Sequence, residues 1–505
     1  LKKSKTPSFI TEIQLKVSNQ QERELIARFQ AGRQLYNACL NESMARMELL
    51  KSSQAYQAAK KLPKGKHRDE AFKQARRAYR YSEYDLHYYV TLTATRSNWI
   101  SQKVDSNTQQ KLATRAFKAS EKVLFGLAKS VRYKVPTRFR SMEGKSNKSG
   151  IRWKSNQIVW GKLAIDGIIP DNDCVIQHGL ISTIKYVRIL WRELNGKRRW
   201  YAQLICQGQP FSKPQNYVSS GTLGIDLNVS NVAFVADSHA GLLPFAEGVP
   251  TFEREIKAIQ RKMERSRRTS NPDNYNPDLL CKKGNKTVKK KGTIKKGRRK
   301  WNQSKNYQKL ARKKRELEHR KTSYAKSQNR RLANEILRHG KDIKTENVSV
   351  KGWQKRYGKA ISAKSPSFFM SELTRKAESA KGSVIKFSTQ KTALSQTHLD
   401  GSRMKKSLSQ RIHQDATGVV MHRDLFSAFL ARYVDRDMLS LHSAQVEWER
   451  LEPTLMEAWE QYKQYASRVG TSESRKSDPS SECISIDSDN RSQIAIKGRK
   501  ATSIA

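Results

Sequence analysis

Acidic residues, paired cysteines and long apolar runs are scarce in this 505-residue sequence. Asp and Glu total 46 against 99 Lys and Arg, a formal net charge of +53. Self-repulsion on that scale opposes compaction unless a polyanion screens it, so nucleic acid is the expected partner. The five cysteines (Cys39, Cys174, Cys206, Cys281 and Cys483) lie far apart, with no C-x-x-C pair. That spacing argues against a disulfide scaffold and against a thiolate zinc site. The longest apolar runs are strand-length, too short to span a bilayer. The basic start Leu1–Pro7 has no apolar core behind it of the kind a signal peptide carries. A membrane partner is therefore not expected, and a cytoplasmic protein in contact with nucleic acid is.

Apolar residues make up 36% of the chain. At this length that supports several domains, with solvated length to spare. Phe9–Val17 alternates apolar and polar residues and predicts a strand. The period then changes: Phe29, Tyr36, Leu40, Met44 and Met47 predict an amphipathic helix over 21–50. A basic, tyrosine-rich helical stretch holds Arg76, Arg77, Tyr79, Arg80, Tyr81 and Tyr84, residues suited either to base stacking or to a core edge. A further helix is expected over 107–130. From Ile151 to Gly208 the period returns to two. Asn195-Gly196 between apolar-rich runs is a tight-hairpin signal, because that turn needs positive φ. Together these segments predict a small β-barrel interrupted by a helical insert.

Leu223–Asp237 and Ile343–Val350 are strand-like, as is Val384–Phe387. Helices are expected over 303–339, 366–381, 419–434 and 442–466. Residues 282–300 hold 11 Lys or Arg and no acid, a block expected to stay solvated or disordered until an anion orders it. The last 35 residues hold 9 serines and little periodicity, and a disordered tail is expected there.

In so basic a chain, an acid inside an apolar strand calls for a reason, because an unpaired buried carboxylate is costly. Asp226 sits in Leu223-Gly224-Ile225-Asp226-Leu227, Glu346 closes Ile343-Lys344-Thr345-Glu346, and Asp424 opens an apolar helix. Three carboxylates from separated elements repel one another unless cations lie between them, and oxygen ligands suit Mg²⁺ or Mn²⁺. Two such ions activate a water and steady the leaving oxygen in phosphodiester cleavage. On spacing alone a bland role is open too, with Asp226 as a turn acid and Glu346 and Asp424 paired with neighbouring cations.

The motif set resembles one family. Gly224-Ile225-Asp226-Leu227-Asn228 followed by Asn231-Val232-Ala233 resembles the first RuvC-type motif of the TnpB (OrfB) transposon proteins and of the small type V CRISPR effectors. Thr345-Glu346-Asn347-Val348 with Lys351-Gly352 resembles the second motif. Gln410-Arg411 with Arg423-Asp424-Leu425-Phe426-Ser427-Ala428 resembles the third. Asn271-Pro272-Asp273-Asn274-Tyr275-Asn276, Lys283-Gly284, Trp301 with Ser304-Lys305, and Leu394-Ser395-Gln396-Thr397 lie between them in the family's order. The likeness covers residues 8–435.

What this resemblance implies is an RNA-guided DNA endonuclease of α+β multidomain architecture. A wedge β-barrel is implied over 1–20 and 151–218, with a helical recognition lobe over 21–150. An RNase H-like (RuvC) nuclease with a basic helical insert follows over 219–388, and its C-terminal helices over 419–470. Asp226, Glu346 and Asp424 are implied as catalytic metal ligands for two Mg²⁺ ions. Guide RNA, transposon-derived or CRISPR RNA, and target double-stranded DNA are the implied partners, in a prokaryotic, nucleoid-associated setting. Arg298, Arg299, Lys300, Lys305 and Arg312 are the expected nucleic-acid contacts. One departure concerns residues 389–418, a degenerate zinc-ribbon-like loop. Where relatives carry two cysteine pairs this chain has Thr397, Asp400, Asp415 and Thr417, so no zinc is expected although His398 and His413 remain. An RNA-guided binder without strong cleavage, a repressor or transposition-targeting subunit, is the alternative.

Overall fold

The computed structural model describes residues 6–194, 196–212, 220–283, 286–297, 299–407 and 409–469. The expected disordered tail and Arg298 lie outside them. The chain separates into two compact units, one formed by residues 1–214 and 252–321, the other by 215–251 and 322–505. Residues 252–321, expected as part of the nuclease, thus cluster with the first unit.

The chain begins with β1 (Ser8–Leu15) and the long α1 (Asn19–Ser52). The helices α2 (Gln54–Lys61), α3 (Lys66–Ala78), α4 (Glu83–Thr95), α5 (Asn98–Lys103) and α6 (Ser106–Leu124) follow. Next come β2 (Ser141–Glu143), β3 (Ile151–Lys154), β4 (Gln157–Trp160) and β5 (Leu163–Ile168). α7 (Cys174–Ile181), β6 (Ile184–Leu194) and β7 (Lys197–Gln207) complete this stretch.

These strands form one antiparallel sheet in the order β2-β6-β7-β1-β5-β4-β3. Its alternation is what the sequence pattern demands: Phe9, Ile13 and Leu15 are buried while Ile10 is exposed. Leu194 and Lys197 pair directly, as the hairpin signal requires, and Gly196 has φ +72°. Strand β2 lies in the stretch assigned to the recognition lobe, beyond its last expected helix, and adds an edge to the sheet. α1 starts at a capping box in which Ser18 and Gln21 exchange hydrogen bonds, satisfying two otherwise orphaned N–H groups. Asp105 caps α6 and also accepts from the Trp160 indole at 2.8 Å, tying helix to sheet. Gly126, at φ +69°, ends α6 well before residue 130. Of the tyrosine-rich stretch, Tyr81 is core, bonded to Ser120, whereas Tyr84 and Tyr88 are exposed.

After β8 (Thr222–Leu227), β9 (Asn231–Val235) and β10 (Ala240–Pro244) the chain makes α8 (Glu253–Thr269), the hairpin β11 (Leu279–Lys283) with β12 (Lys286–Lys290), and α9 (Lys305–Leu337). The first part of the lysine-rich block is therefore paired in the strands Leu279–Lys283 and Lys286–Lys290, where chain solvated or disordered until an anion orders it was expected. Then follow β13 (Asp342–Glu346), α10 (Val350–Lys364), α11 (Pro366–Ser379), β14 (Val384–Phe387) and α12 (Thr389–Thr392). The last elements are β15 (Ile412–Gln414), β16 (Val420–His422), α13 (Arg423–Ala431), β17 (Val434–Asp435), β18 (Met438–Leu439) and α14 (Leu441–Val469). A single helix was expected over 419–434. Instead Gly418, at φ +87°, returns β16 against β15 before α13 begins.

The sheet of the second unit runs β10-β9-β8-β13-β14, antiparallel through its first three strands and parallel from β8 to β14. One face buries Leu223, Ile225, Ile343 and Phe234 against Phe369, Leu373 and Ile336. The other packs Ala233 and Val235 with Leu425, Ala428, Phe429 and Trp448. No helix among the described residues is long and apolar enough to cross a membrane.

Candidate nuclease site

Parallel pairing positions the first two acids. Asp342, Ile343, Lys344 and Thr345 of β13 stand opposite Thr222, Leu223, Gly224 and Ile225 of β8. The next step along each strand brings Glu346 beside Asp226 at the carboxyl ends, where parallel sheets place their sites. Because strand side chains alternate, both acids share the face of Gly224 and Lys344. That is the face on which α13 packs: a Cβ on Gly224 would stand 1.9 Å from the Ala428 carbonyl oxygen. The third acid, Asp424, occupies the first turn of α13. Negative charge is favoured at that end of a helix, and the Asp424 N–H donates to His422 Nδ1.

Asp226 feels the charge of both other acids. Burial, then repulsion by Asp424 and Glu346, drives the Asp226 carboxyl well above the ordinary range. Asp226 accepts from Asn228 Nδ2 at 3.3 Å. Burial pushes Glu346 up to about 7. Asp424 is 1% exposed, and its Oδ2 has no hydrogen-bond partner. The guanidiniums of Arg411 and Arg423 each stand 3.7 Å from its carboxylate. Among the described residues no three His, Cys, Asp or Glu side chains are gathered tightly enough to ligate a metal ion as they stand.

A groove of about 1130 Å³ opens beside the acids, bordered by Asn228, Asn347, Trp353, Arg356, Arg411 and Arg423. Sequence reasoning did not single these out as site residues. The available signal was adjacency, since Asn228, Asn347 and Arg423 each follow or precede an acid by one or two positions. Of the expected nucleic-acid contacts, Lys300, Lys305 and Arg312 are exposed and Arg299 is half-buried. All four belong to the first unit, where Arg312 pairs with Glu193 at 3.3 Å. Arg312 also borders a groove of about 990 Å³ with Lys262, Arg265, Lys309 and Lys313. The structure thus places these cations in the other unit from the three acids.

The loop before α13 is organised by one carboxylate. Asp415 Oδ1 accepts from the Thr417 N–H and hydroxyl at 2.9 and 2.5 Å. Its Oδ2 accepts from the Leu399 N–H at 3.1 Å and from His413 at 3.3 Å. Lys406 reaches the other ring nitrogen of His413 at 2.5 Å, and His413 stacks on Phe426 of α13 with centroids 4.0 Å apart. Burial alone would raise the Asp415 carboxyl, but the hydrogen bonds from Thr417, Leu399 and His413 outweigh it and pull it to about 2. Burial, with the Lys406 ammonium, holds His413 down to about 4.

The sign of the pH dependence follows. Above pH ~6.5 His413 is neutral both folded and unfolded. As pH falls toward 4 the unfolded chain takes up the proton and the folded chain does not, so stability drops, by at most ~3 kcal/mol. Asp415 adds a further loss between about pH 4 and 2. Thermal unfolding followed from pH 7 to 4.5 should show a falling midpoint, and His413→Gln should flatten that slope. Asp415→Ala should cost roughly 2–4 kcal/mol at neutral pH, since it strands buried donors.

No family model matches the chain, and no curated protein does. Among solved structures, a cryo-EM structure of a Cas12f1–sgRNA–target DNA complex aligns over 84% of this chain and 98% of its own, at 9% identity and TM-score 0.41. A cryo-EM structure of a CRISPR–Cas12f ternary complex aligns over 81% of each chain, at 10% identity and TM-score 0.28. Neither reaches a TM-score of 0.5, and the reading that follows is built on the residues above.

Proposed function

We propose that the chain is an RNA-guided DNA endonuclease whose second unit is an RNase H-like (RuvC) nuclease cleaving phosphodiesters at Asp226, Glu346 and Asp424. The observation that carries this reading is that Asp226, buried at the end of β8 beside the end of β13, feels the repulsion of both Glu346 and Asp424, next to a groove bordered by Arg356, Arg411 and Arg423. Their donor set fits Mg²⁺: hard oxygen ligands, repulsion on Asp226 that a divalent cation would relieve, and a buried Asp424 Oδ2 that accepts no hydrogen bond. When bound, a pair of such ions supplies an activated water and charge stabilisation at the leaving oxygen. The protein's own part is positional. β8 and β13 hold Asp226 and Glu346 side by side, and α13 brings Asp424 to the same face. Arg411, Arg423 and Arg356 offer guanidiniums to the phosphates on either side of the scissile bond, and Trp353 and Tyr357 border the groove as surfaces for bases.

In the first unit, the seven-stranded sheet and helices α1–α6 are read as wedge and recognition lobe, with guide RNA and target DNA as partners screening the +53 charge. The loop over 389–418 is read as a zinc-free equivalent of a ribbon, held by Asp415.

One observation favours a second reading, guided binding with weak cleavage. Arg411 and Arg423 flank Asp424 and compete with a cation for its charge. The test is to co-express the chain with its flanking DNA, sequence the RNA that co-purifies, and incubate the complex with matching duplex DNA in Mg²⁺ or EDTA. A discrete RNA and Mg²⁺-dependent cuts are expected. A discrete RNA with binding but no cuts would establish the second reading, and a heterogeneous RNA smear would overturn both.

A further inference from the structure

We propose that the paired strands Leu279–Lys283 and Lys286–Lys290 form a β-ribbon that enters the major groove of a B-form DNA duplex. It rests on the reading above that this chain engages duplex DNA, and adds the element that does so and the groove it takes.

The hairpin is built to project from a fixed base. Asp278 accepts from the Gly292 N–H at 2.9 Å, Asn276 N–H donates to the Thr293 carbonyl at 2.8 Å, and Tyr275 bridges to Ile294. The Arg268 guanidinium lies 4.2 Å from the Tyr275 ring centre and donates to the Gly292 carbonyl. Below it, the buried Asn271 side chain accepts from the Asn302 N–H and donates to the Asn302 and Arg267 carbonyls. A Cβ on Gly292 would meet the Asn276 carbonyl oxygen at 1.8 Å, so the two legs close at that point.

Beyond the base, five residue pairs run in register from Leu279↔Lys290 to Lys283↔Lys286. At ~3.4 Å per residue the ribbon is about 17 Å long, and a two-stranded ribbon fits the ~12 Å wide major groove of B-DNA. The A-form groove of duplex RNA is too narrow and deep to admit it. The charge suits an anion: no acid lies between residues 279 and 300, and at the base Asp278 stands 3.6 Å from the Lys289 ammonium. The same lysines oppose pairing with a second copy's strand edge. Leu279 and Leu280 are 61% and 76% exposed. Leu280 stands opposite Lys289 and shares a face with Thr287, a combination that suits thymine methyls beside phosphates or guanine edges.

The test uses the full chain with its guide RNA and compares Lys286→Gln/Lys289→Gln/Lys290→Gln and, separately, Leu280→Ser with the unaltered protein. Binding is read by anisotropy on duplex DNA, on duplex RNA of the same sequence, and on duplex DNA whose major groove is filled by glucosylated hydroxymethylcytosine. The triple variant should bind duplex DNA about tenfold more weakly, with a salt slope shallower by about 2–3, while retaining its guide RNA. Glucosylation should weaken the unaltered chain and leave the triple variant unchanged. Leu280→Ser should lose affinity with the salt slope intact. Equal losses on duplex RNA, indifference to glucosylation, or unchanged DNA binding by both variants would overturn the assignment. A chain that binds no duplex at all would remove the nuclease reading with it.

Discussion

Asp226→Asn should abolish Mg²⁺-dependent cleavage while making the metal-free protein more resistant to heat. Burial and the fields of Asp424 and Glu346 act together to keep Asp226 from ionising. Without a cation, the fold must therefore either protonate this group or bear its repulsion. Asparagine keeps the shape and removes the charge, so the midpoint in EDTA should rise, by about 2–4 °C for each kcal/mol relieved in a unit of this size. On the proposed reading the same change removes a metal ligand worth several kcal/mol at the transition state, so the cleavage rate should fall by roughly a thousandfold or more. The midpoint gain produced by Mg²⁺ in the unaltered protein should shrink in parallel, because ligand-linked stability tracks affinity. Differential scanning fluorimetry with and without Mg²⁺, beside single-turnover cleavage, checks all three. A destabilised, Mg²⁺-indifferent variant would mean that Asp226 is an ordinary turn acid and the site lies elsewhere.

The three acids stood out because each breaks a local rule that its neighbours obey, but spacing alone favoured a bland role for them, and it was the motif resemblance that made them a candidate site. Asp226 interrupts an apolar strand, Glu346 ends another, and Asp424 opens an apolar helix. What sequence could not supply was the register that places Glu346 beside Asp226, since a parallel pairing joins strands 120 residues apart through α8, the ribbon and α9. Alternation gave the first sheet's strands, yet β2 escaped because three residues are too few to show a period. The lysine block misled in the other direction. Charge run alone predicts solvated chain, but Asn271, Asp278 and Gly292 lock its base through long-range bonds that no local window contains. His413 and Asp415 read as remnants of a metal loop, whereas their geometry makes them the hydrogen-bonded centre of that loop.

Gly224→Ala should be the most damaging single-methyl change in the second unit. A Cβ there would lie 1.9 Å from the Ala428 carbonyl oxygen and 2.9 Å from the Arg432 backbone nitrogen. Both belong to backbone, which cannot rotate aside as a side chain can, so β8 and α13 must separate. Overpacking of this kind costs about 1–3 kcal/mol or more. The Lys344 ammonium, which donates to the Arg432 carbonyl at 2.9 Å from the same face, would lose its partner as α13 moves. Asp226 rides on the strand and Asp424 on the helix, so the separation also pulls the acids apart. A displacement of about 1 Å is enough to lower a rate by roughly a hundredfold. Cleavage should therefore fall further than the fraction unfolded accounts for. Gly358→Ala supplies the contrast: it lies in α10 with nothing within 4 Å of its Cβ position, and alanine there should be neutral or stabilising by up to ~1 kcal/mol. Thermal midpoints and single-turnover rates of the two variants, measured side by side, test whether the contact of β8 with α13 is what sets the spacing of the acids. Equal rates per folded molecule for Gly224→Ala and the unaltered chain would show that it is not.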